Sequence, residues 1–283
     1  MVNGGRCRMS NSSILGKKVD EAIDHALGLQ GTYKHKNSCL LLSRQPPDRL
    51  DGKALIKEIL KQVKSNWHKG ASTGTKNWRW EKQTRIAKNN KSQEVCLERL
   101  IVNTTSDDWV NQVPIASGLT RNGDRRRAID LAHRCGDGSY ELIELKVDQQ
   151  AGSPLFAAME ILQYGLLYIF YREHLKTLEP KQLEAEKEKL LGATAIHLKV
   201  LAPASYYKSK NGEDYRLGPL KKMINDGLKT FLAGRKFGFK MDFEFQKFYR
   251  DFTTESVATD RKPPGQRIVE ALNRRESVNS RDA

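Results

Sequence analysis

Residues 127–147 read RAIDLAHRCGDGSYELIELKV, and the architecture follows from their pattern. Two apolar runs flank a glycine-rich turn, Gly136-Asp137-Gly138-Ser139, which predicts a β-hairpin with strands over 127–133 and 140–147. Each strand carries charge inside its apolar run: Asp130 in the first, Glu144 and Lys146 in the second. Charged side chains are rarely buried unless they are paired or bind metal. Residues two apart on a strand share a face, so Glu144 and Lys146 point one way while Ile143, Leu145 and Val147 form a core surface.

The register of the hairpin decides whether Asp130 joins them. An even turn centred on Asp137-Gly138 would set Cys135 opposite Tyr140 and Asp130 opposite Leu145, on the wrong face. One shared site therefore requires an odd turn or a β-bulge, and Gly136 and Gly138 make either accessible.

Outward from the hairpin the pattern stays regular. Ser92 to Val102 predicts a helix capped by Ser92, and Trp109 to Ala116 a strand weakened by Pro114. Downstream, Pro154 to about Leu175 is a long helix with an apolar stripe through Leu155, Met159, Leu162, Leu166 and Ile169. A charged, exposed helix (Lys181 to Leu191), a strand (Thr194 to Leu201), a helix (Leu220 to Leu232) and a strand (Phe239 to Tyr249) follow. This order implies an α/β fold, a mixed β-sheet flanked by helices. Upstream, Val19 to Leu29 and Asp51 to Trp67 predict helices. Residues 1–90 thus form a helical, basic N-terminal extension, 91–252 the main domain, and 253–283 a polar tail with at most a short helix at Ile268 to Asn273.

The 283-residue chain carries a net charge of +15, which favours a polyanionic partner, because lysines and arginines on phosphates release counterions. No run approaches the ~20 apolar residues of a membrane span, and Met1 to Lys18 lacks the apolar centre of a signal peptide, so the expectation is a cytoplasmic protein with no membrane partner. Cys7, Cys39, Cys96 and Cys135 stand at no zinc or disulfide spacing. Between His68 and Asn90, together with Trp67, Trp78 and Trp80 alternate with Lys76, Arg79, Lys82 and Arg85. Such a segment either holds a phosphate backbone and stacks on bases or docks its tryptophans onto the core. Arg125, Arg126 and Arg127, entering the Asp130 strand, either clamp phosphate or form a solvated loop cluster. His133 reads as structural rather than as a general base.

Carboxylates on neighbouring strands can hold Mg²⁺ or Mn²⁺, which polarise a phosphoryl oxygen and acidify an attacking water. A lysine beside them can orient that water or stabilise charge developing on the phosphate. Asp130, the Gly-Asp-Gly turn and Glu144-Leu145-Lys146 together resemble the paired motifs of the PD-(D/E)XK, or restriction-endonuclease-like, nucleases, over roughly residues 90–250. The resemblance implies a core of helix, three strands, helix and strand (αβββαβ). It implies metal ligands at Asp130, Glu144 and the Leu145 carbonyl, and a catalytic lysine at Lys146. It also implies a glutamate on the first helix, for which Glu94 and Glu98 both qualify, with Glu98 the deeper. The family's Gln-x-x-x-Tyr on the following helix is replaced by Glu160-x-x-x-Tyr164 with Gln163 alongside, and Ile129 stands where the family often has proline. The expected function is a metal-dependent nuclease, an endonuclease acting on DNA, with a non-catalytic nucleic-acid-binding protein of the same fold as the alternative. Double-strand cleavage with one site per chain would favour a homodimer.

Overall fold

Ser92 and Ser153 begin the two helices that frame the hairpin. Their hydroxyls accept hydrogen bonds from the amides of Val95 (3.3 Å) and Phe156 (3.2 Å), satisfying donors that a helix start leaves open. The structure, a computed structural model, describes residues 17–29, 34–36, 51–68, 76–86, 92–120, 127–148, 152–233, 235, 238–249, 252 and 264–278. Its helices of seven residues or more are α1 (Lys17–Ala26), α2 (Gly52–His68), α3 (Gln93–Thr104), α4 (Pro154–Glu173), α5 (Ala185–Leu191), α6 (Gly218–Ala233) and α7 (Pro264–Asn273), with a single further turn at Leu175–Leu178. The strands are β1 (Trp109–Pro114), β2 (Ala128–Gly136), β3 (Ser139–Leu145), β4 (Ala195–Ala202), β5 (Lys240–Lys247) and β6 (Glu276–Ser277).

The strands form one mixed sheet in the order β1-β2-β3-β4-β5-β6. β1, β2 and β3 form an antiparallel meander; β4 runs parallel to β3 and β5 parallel to β4, and β6 closes the edge antiparallel. The parallel pairs need crossovers, which α4 and α6 supply. One sheet face, with α1, α2, α4 and α6, encloses the larger core. The other buries Leu131, Ile143, Leu145 and Leu201 beneath Leu97 and Ile101 of α3 and Ile268 and Leu272 of α7.

The hairpin reaches the required register through a bulge. Gly136 faces Ser139 across Asp137-Gly138, with Gly138 at φ 70°, while Arg134 pairs with Tyr140 and Cys135 is left over. Leu131 then pairs with Ile143, and one further step in that register puts Asp130 across from Glu144.

Four expectations change. α4 is buried on nearly every side rather than along one stripe, because it lies between the sheet and α2. Among the described residues it alone has the length and apolarity of a membrane span, and it is a core helix. A Cβ on Gly165 would fall 2.7 Å from Leu198 Cδ1, so glycine lets α4 lie close on β4. The helix expected from Lys181 begins at Ala185. Its Lys187 is buried, paired with Glu179 and 5.7 Å from the Tyr171 ring centre. The tail contributes α7, starting at Pro264, and β6, because Ile268, Ala271 and Leu272 make an apolar stripe that covers α3.

From the starts to the middle of β3, β4 and β5, polar residues form rungs across the sheet. Ser139, His197 and Asp242 are linked at 3.2 and 2.8 Å, His133 lies 2.8 Å from Glu141, which also pairs with Arg275, and Glu244 joins Lys199 and Lys221. His133 also stacks on Trp109, with ring centres 4.1 Å apart, in keeping with a structural role. The opposite end of these strands is different in kind.

Candidate active site

Asp130 and Glu144 meet at the C-terminal end of β3. Lys146 follows directly, its amide donating to the Leu201 carbonyl at 3.0 Å and so continuing the parallel pairing. Its buried ammonium lies 2.5 Å from Glu144 Oε1, 3.6 Å from Glu160 Oε2 and 3.9 Å from Glu94 Oε1. Asp130 accepts a 2.9 Å hydrogen bond from the Leu145 amide. Glu98, also buried, accepts one of 2.7 Å from Gln112. Tyr164 donates to Glu160 at 3.1 Å, so the departure from the family's Gln-x-x-x-Tyr still makes a local pair on α4. Five carboxylates from four elements therefore converge near one lysine.

One ammonium does not neutralise this group. Burial, with Asp130 and Glu94 nearby, pushes Glu98 up to about 9. Burial pushes Glu94 up to about 7 against the pull of Lys146. Asp130 rises to about 6 through burial and the charge of Glu160, opposed by Lys146. Burial, Asp130 and Glu160 hold Glu144 well above the usual carboxylate range. Burial would lower Lys146, but Glu144, Glu160, Glu94 and Asp130 raise it well above an ordinary lysine.

Two oxygens, Glu144 Oε2 and Glu94 Oε1, are buried without a hydrogen-bond partner. Hard carboxylate oxygens lacking partners, in a site short of positive charge, suit Mg²⁺ or Mn²⁺. Among the described residues no three acidic, histidine or cysteine side chains already stand at metal spacing. The Lys146 ammonium stands among the carboxylates and bonds Glu144 directly.

Searches against protein-family models, curated proteins and solved structures return no match. The site's chemistry is read from its own geometry.

Most of the expected residues come together. Asp130, Glu144, Lys146, Glu94 and Glu98 share the cluster, with both α3 glutamates present rather than one. Gln163 is buried on α4 with neither amide atom partnered. The Leu145 side chain packs in the core beneath α3 and α7.

Arg125 and Arg126 fall outside the described residues. Arg127 is half-buried, its charge acting on Asp20 of α1 and on Tyr164. Lys76 and Arg85 are exposed, and Arg79 is half-buried, 3.2 Å from Glu81. The tryptophans dock. Trp78 is fully buried, edge-on to Tyr168 and Tyr171 at 5.6 and 5.9 Å. Trp67 meets Phe170 at 5.4 Å and Trp80 meets Tyr140 at 5.4 Å.

Two residues enter the site that the sequence did not single out. Gln112 sits mid-strand at φ 52°, where the β1–β2 ladder passes from Asn111–Leu131 to Val113–Ile129. Tyr206 follows β4, buried and exposed to the charges of Lys146, Glu144, Glu160 and Glu94. For Tyr206 a signal existed: tyrosines just past a strand that ends beside Lys146 lie where α/β sheets bind ligands. For Gln112 no local signal exists.

Proposed function

We propose that the chain is a metal-dependent nuclease that hydrolyses phosphodiester bonds of nucleic acid, with DNA as the favoured substrate. One observation carries the reading: Asp130 lies across from Glu144 on adjacent antiparallel strands, with Lys146 two residues further on. The order α3-β1-β2-β3-α4-α5-β4 supports the reading, since it is the αβββαβ order that the motif resemblance implies with α5 added before β4.

Asp130 and Glu144 would hold the metal, with the Leu145 carbonyl and an α3 glutamate as further oxygen donors. The ion would polarise the phosphate and acidify the attacking water. The chain's own groups do the rest. Lys146 is placed to orient that water or to face the charge developing on the phosphate. Gln112 holds Glu98, and Tyr164 holds Glu160, so the cluster presents fixed acceptors. The net charge of +15, with Lys76, Arg79, Arg85 and Arg125 to Arg127 as candidate contacts, supplies attraction for the polyanion.

The test is cleavage of plasmid and single-stranded substrates in Mg²⁺ or Mn²⁺, with Asp130→Ala as the control. The wild-type chain should cleave, and Asp130→Ala should lose at least roughly 10³-fold in rate, since removing a metal ligand removes the catalytic centre. Tight binding without cleavage would favour the non-catalytic alternative.

A further inference from the structure

Tyr206 and Tyr207 are neighbours in one 3₁₀ turn, Ala204–Tyr207, just past β4. Their rings meet edge-on with centres 5.3 Å apart. Both are buried, yet their hydroxyls differ. Tyr207 Oη lies 2.9 Å from the Val200 carbonyl and 2.7 Å from that of Gln246, tying β4 to β5. Tyr206 Oη is fully buried and has no partner. A buried, unpaired hydroxyl carries a desolvation penalty that a phenylalanine would avoid.

The turn sits at the catalytic end of the sheet, because Lys146 pairs with Leu201 one residue before β4 ends. The charges acting on the Tyr206 phenol are those of Lys146, Glu144, Glu160 and Glu94. Glu144 Oε2 is itself unpartnered, so the hydroxyl is not employed in holding that carboxylate.

We propose that Tyr206 is a catalytic residue whose O–H donates a hydrogen bond to an oxygen of the phosphate bound against Lys146 and Glu144. The inference rests on the nuclease reading and deepens it. Burial, aided by Glu144, Glu160 and Glu94 and opposed by Lys146, keeps the phenol well above an ordinary tyrosine pKa, so it serves as a neutral donor and not as a base. A fixed donor held away from bulk water acts on the charge that grows on the phosphate in the transition state.

The experiment compares Tyr206→Phe and Tyr207→Phe in the full chain with Mg²⁺, on a substrate that the wild type cleaves and Asp130→Ala does not. Tyr206→Phe should lower kcat roughly 10- to 100-fold, with KM within about 3-fold of wild type and a melting temperature equal or higher. Tyr207→Phe should melt earlier and keep the turnover of each folded molecule. Wild-type kcat in Tyr206→Phe would overturn the inference and leave the nuclease reading standing. A fall in melting temperature alongside the rate would make the hydroxyl structural and overturn it as well. A wild-type chain that cleaves no phosphodiester would remove both.

Discussion

Gln112 occupies the left-handed backbone region, at φ 52°, and its side-chain amide donates a 2.7 Å hydrogen bond to the buried carboxyl of Glu98. A non-glycine residue in that region carries roughly 1–2 kcal/mol of strain. Gln112→Gly relieves the strain but loses a hydrogen bond of about 1 kcal/mol. The melting temperature should therefore move little, while metal-dependent cleavage falls roughly tenfold or more. Calorimetry and single-turnover rates on the same preparation check this. Full cleavage in the variant would show that the Gln112 side chain serves only the strand.

Asp130 opposes the same crowding from the sheet side. Its pKa of about 6 means that its ionised form is disfavoured by the fold, so at neutral pH it detracts from stability. Asp130→Asn keeps an acceptor for the Leu145 amide and removes one like charge. In chelator it should be more stable by on the order of 1–3 kcal/mol, with cleavage abolished. A variant less stable than wild type in a thermal melt would contradict the picture of a cluster short of positive charge.

Glu244 has the opposite sign. Burial would raise it, but hydrogen bonds from Lys221, Ser277 and Lys199 outweigh burial and lower it to about 2. A carboxylate depressed in the folded state contributes its full stability above the ordinary value near 4.5. That contribution is lost as pH falls through about 2. Glu244→Gln should therefore reduce stability by roughly 1–2 kcal/mol at pH 6, after allowance for solvent screening. The gap between variant and wild type should close as pH falls through about 2. Urea melts across this range measure it, and a constant gap would count against the linkage.

Ile268 tests the C-terminal segment. It is buried on α7 among Leu97, Ile101 and Leu272, facing α3, the helix that carries Glu94 and Glu98. Ile268→Ala should cost about 2–4 kcal/mol. An effect below roughly 0.5 kcal/mol in denaturant unfolding would mean that the segment does not belong to the core.

The features legible without the fold are local. Alternation over 127–133 and 140–147 marked the hairpin, and the charges inside its apolar runs marked Asp130, Glu144 and Lys146. Helix starts were legible where a serine hydroxyl caps them, as at Ser92. These signals travel only a few residues, which is the range of backbone periodicity and capping. The bulge at Cys135 was legible only as a requirement, since either an odd turn or a bulge would have met it. Tertiary structure alone brought Gln112 to the site, because β1 meets α3 and its Glu98 through packing and not through sequence. It also chose between docking and display for Trp78, burying the ring against Tyr168 and Tyr171. It ordered α7 as well, in a stretch whose polar composition outweighs its three buried apolar residues until α3 is there to cover them. A contact between residues far apart in the chain depends on which faces remain to be buried once the sheet has formed, and no short window of sequence carries that information.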